Sequence, residues 1–228
     1  DQALALNRLA NILVNQSHFT EGLALHEEAH AIFERSGDDW GIADSLDGIG
    51  MARWLAGDMP EARHCFDRAL TGFRAIGDRE RIASCLTSSA LYLGVLDGPC
   101  RYDVNPDDCL ADAEAAVALC QEIDWTAGEI YARVACGMAQ IGRGAYTEAF
   151  GELDTSLEMA TQIGHQQWTI ITQFTRALAL IEVSDIAGAY AILEGAGKIA
   201  GAMGGVQWGP RVTAWMCRCA FLLGQQSD

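Results

Sequence analysis

The chain has 228 residues, half of them hydrophobic, and 31 acidic against 15 basic side chains, for a formal charge of −16. That content supplies a sizeable core. The charge repels phosphate polymers and anionic lipid, which argues against direct nucleic acid contact by this segment. No run of 18 apolar residues marks a membrane span. The 8 cysteines are scattered, several at small or apolar helical positions, and form no CxxC, which suits a reducing, cytoplasmic compartment.

Internal repetition organises the rest. Gly37 and Gly77 lie 40 residues apart in the contexts RSGDD and AIGDR, and Ile123-Asp124 follows Ile76-Gly77 by 47. Ile163-Gly164 and Met203-Gly204 come at further steps of 40. The extra seven residues fall in one place, near 97–107, where Asn105-Pro106 reads as an N-cap and a first-turn proline. A second marker runs in phase. Small residues at Ala10, Gly50, Ala90, Gly137, Ala177 and Cys217 mark one position of a first helix in each unit. Gly22, Ala62, Cys109, Ala149 and Ala189 mark a second helix. Small side chains let helices cross closely.

These markers predict first helices near 2–16, 40–56, 80–96, 125–142, 166–183 and 207–223, and second helices near 19–36, 59–76, 107–123, 146–163 and 186–203. Apolar spacing is helical throughout, as in Phe66, Leu70 and Phe73, and no stretch alternates as a strand would. Gly37, Gly77, Gly164 and Gly204 stand where a left-handed C-cap is needed. Asp58 and Asp185 stand beside second-helix starts, where a carboxylate meets orphan N–H groups. The fold class is therefore all-α, in units near 1–38, 39–78, 79–124, 125–164 and 165–204 with a final helix in 205–224. The chain starts inside a running pattern without Met, and is expected to be a single array cut from a larger protein.

The pattern small-x6-Gly-Asp-x3-Ala-x6-Ala-Leu, here Gly50, Gly57-Asp58, Ala62 and Ala69-Leu70, resembles the tetratricopeptide repeat. The period of 40 and the Gly-Asp in place of a closing proline depart from its usual form. They look like the repeats of large bacterial signal-transduction regulators of the LuxR and AfsR types. The resemblance implies a right-handed α-solenoid of helix-turn-helix repeats, with first helices lining a concave groove. No catalytic residue, cofactor or metal is expected. In that register the groove-facing residues are Asn7, Asn11, Asp44, Asp47, Met51, Trp54, Leu91, Tyr131, Val134, Met138, Ile171, Phe174, Leu178, Arg211 and Arg218. The groove would then be polar to acidic at one end, apolar in the middle and basic at the other. The expected occupant is a protein or peptide partner, or a small-molecule inducer. A passive scaffold is the alternative, as is self-association through the last helix, which has no partner in sequence.

One enzymatic motif competes. His26-Glu27-Glu28-Ala29-His30 matches H-E-x-x-H, in which two histidines on one helix face share a zinc ion and the glutamate polarises water. The repeat register gives it a plainer origin. His26 and His30 occupy the places of Phe66 and Leu70 in the next unit, and no third-ligand motif follows.

Overall fold

Each described turn between helices holds one residue whose backbone enters the left-handed region, and these residues punctuate the fold. The computed structural model describes residues 2–91, 105–204 and 208–225. Among them, Gly37, Gly57, Gly77, Gly144, Gly164 and Gly204 take φ between 67° and 91°. Glycine does so without the Cβ clash that penalises other residues. Ser17, Asp124 and Ser184 hold the same kind of turn at φ of 67°, 54° and 66°. Replacing each of these three by glycine is expected to stabilise the protein by roughly 0.5 kcal/mol, the balance of relieved strain and added unfolded-state freedom. A urea titration of the triple variant checks it, and an unchanged or lower midpoint would count against the turn assignment.

Eleven helices result among the described residues: α1 (Gln2–Asn15), α2 (Phe19–Ser36), α3 (Asp39–Ala56), α4 (Met59–Ile76), α5 (Arg79–Ala90), α6 (Pro106–Glu122), α7 (Thr126–Gly142), α8 (Tyr146–Gln162), α9 (Gln166–Glu182), α10 (Ile186–Ala202) and α11 (Gly209–Gln225). The described ends fall close to the expected ones. Residues 92–104, which hold the expected end of α5 and most of the insertion, lie outside the described residues. Past them, the side chain of Asn105 accepts a hydrogen bond from the Asp107 N–H at 3.0 Å, with Pro106 in the first turn. Asp185 caps α10 through the Gly188 N–H at 2.9 Å. Asp58 does not cap α4. Its carboxylate is held instead by Arg53 at 3.2 Å.

The chain divides into two compact units, 1–89 and 90–228. In the first, α1 packs on α2, α2 on α3 and α3 on α4, and α1 also touches α3. Its crossings are tight where the small residues stand. A Cβ on Gly50 would come within 2.6 Å of the Phe66 ring, and one on Gly22 within 2.6 Å of Val14. Phe33, Phe66 and Phe73 fill the space the small residues leave.

In the second unit, α6 packs on α7, and each helix from α7 to α11 packs on the next, with α7 also touching α9. A Cβ on Gly137 would lie 2.7 Å from Leu153, a fully buried residue. Ile130, Met138, Phe174 and Leu193 complete the core. Cys217, in the same register on α11, is exposed, and no second helix of its unit stands among the described residues. Six of the seven described cysteines are buried, and none of the seven is in a disulfide. Burial pushes the Cys136 thiol up to about 12, so it behaves as a small apolar side chain. No helix among the described residues is long and apolar enough to cross a membrane.

Candidate functional site

The structure separates the groove-facing set into two kinds. Asn7, Asp44, Trp54, Leu91, Val134, Met138, Ile171, Phe174 and Leu178 are buried, none more than 9% exposed. Asp47, Met51, Tyr131 and Arg211 are half-buried, and Asn11 and Arg218 are exposed. The apolar middle expected to line an open groove is therefore core. The cause is the closeness set by the small residues. With first helices in contact, as α7 and α9 are, Val134, Met138, Phe174 and Leu178 are covered. An exposed apolar trough is closed by packing, which is its cheapest resolution.

In the first unit the buried polar members satisfy one another. The Asn7 amide donates to Asp44 Oδ2 at 2.7 Å, and its Oδ1 faces His26 Nδ1. Asp44 Oδ1 in turn meets Arg81 at 3.0 Å. Since the Asn7 oxygen can only accept, His26 carries its proton on Nδ1. Its Nε2 is buried without a partner, and burial pushes the ring's pKa down to about 4. Gly48 makes room for the ring, for a Cβ there would lie 2.3 Å from it. Arg81 also lies over the Trp40 ring, 5.3 Å from its centroid, and Trp40 donates to Asp78 at 3.0 Å. Beside this chain, burial pushes the Asp47 carboxyl up to about 6 and the charge of Asp44 adds to the shift. Arg81 and the Cys85 thiol, 3.6 Å from Asp47 Oδ1, oppose it.

This geometry disposes of the zinc reading. His26 is committed to Asn7 inside the core, whereas His30 meets the Ser45 hydroxyl at 2.9 Å and Glu34 at 3.4 Å. Glu27, which would polarise water, turns outward to Arg53 at 3.3 Å. No group of three or more His, Cys, Asp or Glu among the described residues is placed to hold a metal ion.

A feature that repeat reading missed lies between α3 and α4. A pocket of about 330 Å³ opens there over Ile42, Ala43, Leu46, Ala75 and Ile76, with Asp39 and Arg68 at its rim. Gly72 also lines it, in the place held by Ile32, Leu119, Met159 and Ile199 in the other units. The break in that column of large side chains was the available signal. A Cβ on residue 72 would stand 3.0 Å from that of Ala43, so glycine also serves the close approach of the two helices.

In the second unit the accessible members sit among aromatic rings. Tyr131 stacks on Trp168 with centroids 4.7 Å apart. On α11, Arg211 and Arg218 lie over Trp208 and Trp215. What these faces offer chemically is contact and hydrogen bonding.

Residues 1–92 match the family model for the tetratricopeptide repeat. No curated protein matches the sequence. Among solved structures, the chain is similar to a signal transduction ATPase with numerous domains, with a tetratricopeptide repeat sensor, from Pyrococcus horikoshii. The TM-score is 0.65 at 16% identity, over 94% of this chain and 32% of that one. It is similar to a Rap protein complexed with competence and sporulation factor, with a TM-score of 0.75 at 14% identity, over 98% of this chain and 64% of that one. NprR in complex with its cognate peptide NprX gives a TM-score of 0.70 at 17% identity, over 98% of this chain and 60% of that one. The chain thus spans about a third of the ATPase and under two thirds of the other two. At these identities the likeness is one of fold.

Proposed function

We propose, taking as premise that the chain is built of tetratricopeptide repeats, that it is a binding module and serves as the sensor arm of a larger bacterial regulator. The observation that carries this reading is the match of nearly the whole chain to one fold in three proteins. The first is described as bearing a sensor, the others as holding a competence and sporulation factor and a cognate peptide. Its partner is a peptide or protein segment, taken on the accessible first-helix residues of each unit: Asn11 and Met51 in the first, Tyr131 in the second. Binding would favour one docking arrangement with a neighbouring module over another, which is how a ligand without chemistry shifts a two-state equilibrium.

The test is selection of a random decapeptide display library on the immobilised chain, followed by titration of the selected peptides into a variant carrying Asn11→Ala, Met51→Asp and Tyr131→Ala. A loss of at least about tenfold in affinity is expected, the scale of a few truncated contacts. Peptides that bind both proteins equally would remove these faces from the reading.

A further inference from the structure

The column that Gly72 interrupts holds a large apolar side chain on each of α2, α6, α8 and α10: Ile32, Leu119, Met159 and Ile199. The pair α1 and α2 shows what that side chain does. Ile32 packs with Leu6 against Ala3, Ala29 and Phe33. Forty residues on, the pair α3 and α4 repeats these surroundings as Leu46, Ala43, Ala69 and Phe73, all buried, and lacks the side chain itself. The pocket of about 330 Å³ over Ala43 and Leu46 stands in its place. The pair lies inside its unit, with α1 and α2 before it and α5 after it, so the pocket comes from the missing side chain.

The rim carries one charge of each sign, at opposite ends. Asp39 lies four residues before Ala43 on α3, and Arg68 lies four before Gly72 on α4. The two helices are joined by the short turn at Gly57-Asp58 and run antiparallel, with Ala43 against Gly72. The two charges therefore stand about 12 Å apart along the groove. Neither makes an ion pair among the described residues, whereas Arg53, Arg63 and Arg81 of the same unit hold Asp58, Asp67 and Asp44. Asp39, Arg68, Ala75 and Ile76 are exposed, so the pocket is reached from solvent. Its volume is at the low end of the roughly 300–1,000 Å³ of small-molecule pockets, which suits a side chain delivered by a partner backbone. Two helices side by side with an apolar floor form a bed for a third.

We propose that the groove between α3 and α4 docks an amphipathic helix of a partner protein. That helix sets a large apolar side chain over Ala43, Leu46 and Gly72, a lysine or arginine against Asp39 and, seven residues along, a glutamate or aspartate against Arg68. The apolar anchor replaces the side chain that α2 supplies to its own pair. The two charges match the rise of about 10.5 Å over seven residues of helix. A nucleic acid or an anionic membrane presents charge of one sign only and meets the repulsion of the whole chain. The proposal rests on the reading of the chain as a binding module and adds a face to it, for neither Asn11 nor Met51 lines this pocket.

The test uses three labelled helical peptides with lysine and glutamate seven residues apart and leucine, phenylalanine or tryptophan between them, titrated by fluorescence anisotropy into the whole chain. At least one is expected to bind, and replacing its anchor by alanine should cost about thirtyfold in affinity. Ala75→Trp fills the pocket from an exposed position and should abolish binding, its fold being checked by circular dichroism. A peptide with glutamate in place of the lysine should bind Asp39→Lys about fivefold more tightly than the parent. Glu158→Lys, an equal change of net charge on α8, should give no such gain. Four results overturn the proposal: no peptide binds, the alanine-anchor peptide binds as well, Ala75→Trp binds normally, or the two lysine variants behave alike. A concentration-dependent dimer dispersed by Ala75→Trp would overturn it in favour of a second copy. The Asn11, Met51 and Tyr131 variant should bind these peptides normally, so failure of the first-helix faces is read separately.

Discussion

Replacing Asn7 by leucine is expected to destabilise the unit 1–89 by about 3 kcal/mol, while Asn11→Leu changes stability by less than about 0.5 kcal/mol. The two asparagines are one helical turn apart on α1, and in sequence nothing distinguishes them. In the structure Asn7 is 1% exposed and joins Asp44 to His26, whereas Asn11 is open to solvent. Leucine keeps the branching of the Asn7 side chain, is somewhat bulkier, and removes both of its hydrogen bonds. Asp44 would keep Arg81 and lose one donor. The His26 Nδ1–H would lose its only acceptor, on a ring whose Nε2 is already without a partner. A buried polar group left unmatched costs about 1–3 kcal/mol, and here two are created at once. Urea denaturation with unchanged m-values is the measurement. Similar losses for both variants would mean that Asn7 is not the centre of a buried network, and it would return to the list of surface candidates.

Most of the fold was legible because a repeat array must reuse the same packing solution in every unit. The small residues at Gly50 and Gly137 showed where helices cross, and Gly37, Gly77 and Gly164 showed where they end. Ser17, Asp124 and Ser184 hold the same turns without the residue type that advertises them. Asp58 looked like a cap, and only coordinates show Arg53 taking its carboxylate. The binding face was less legible, for a physical reason. Polar residues satisfied by one another and polar residues satisfied by water look alike in sequence. Asn7 is 19 residues from His26 and 37 from Asp44, so their pairing could not be read from local spacing. The converse error affected Val134, Met138 and Phe174, whose helical position suggested a groove although close helix contact buries them.

Two titrating groups in the first unit are expected to give pH dependences of opposite sign that partly cancel in the parent protein. Burial pushes His26 down to about 4, so between pH 4 and 6.5 the unfolded chain binds a proton that the folded chain refuses. Stability therefore falls as pH drops through that window, by roughly 3 kcal/mol in full. Burial pushes Asp47 up to about 6, so between pH 4 and 6 the folded chain keeps a proton that the unfolded chain has released. Stability then falls as pH rises, by roughly 2 kcal/mol after allowing for the partial exposure of this residue. Asp44, Arg81 and Cys85 face Asp47 and set how far its titration moves. Measured relative to the parent at each pH, His26→Gln should gain stability as pH falls from 6.5 to 4. Asp47→Asn should gain as pH rises from 4 to 6. Changes in packing shift each curve as a whole and leave its slope intact, so the slope is the diagnostic quantity. Urea midpoints at half-unit pH steps give both slopes. Curves for the two variants that run parallel to the parent would show that neither group is desolvated as the structure places it. Opposite slopes would show that a histidine and an aspartate in one small polar core offset each other across the mildly acidic range.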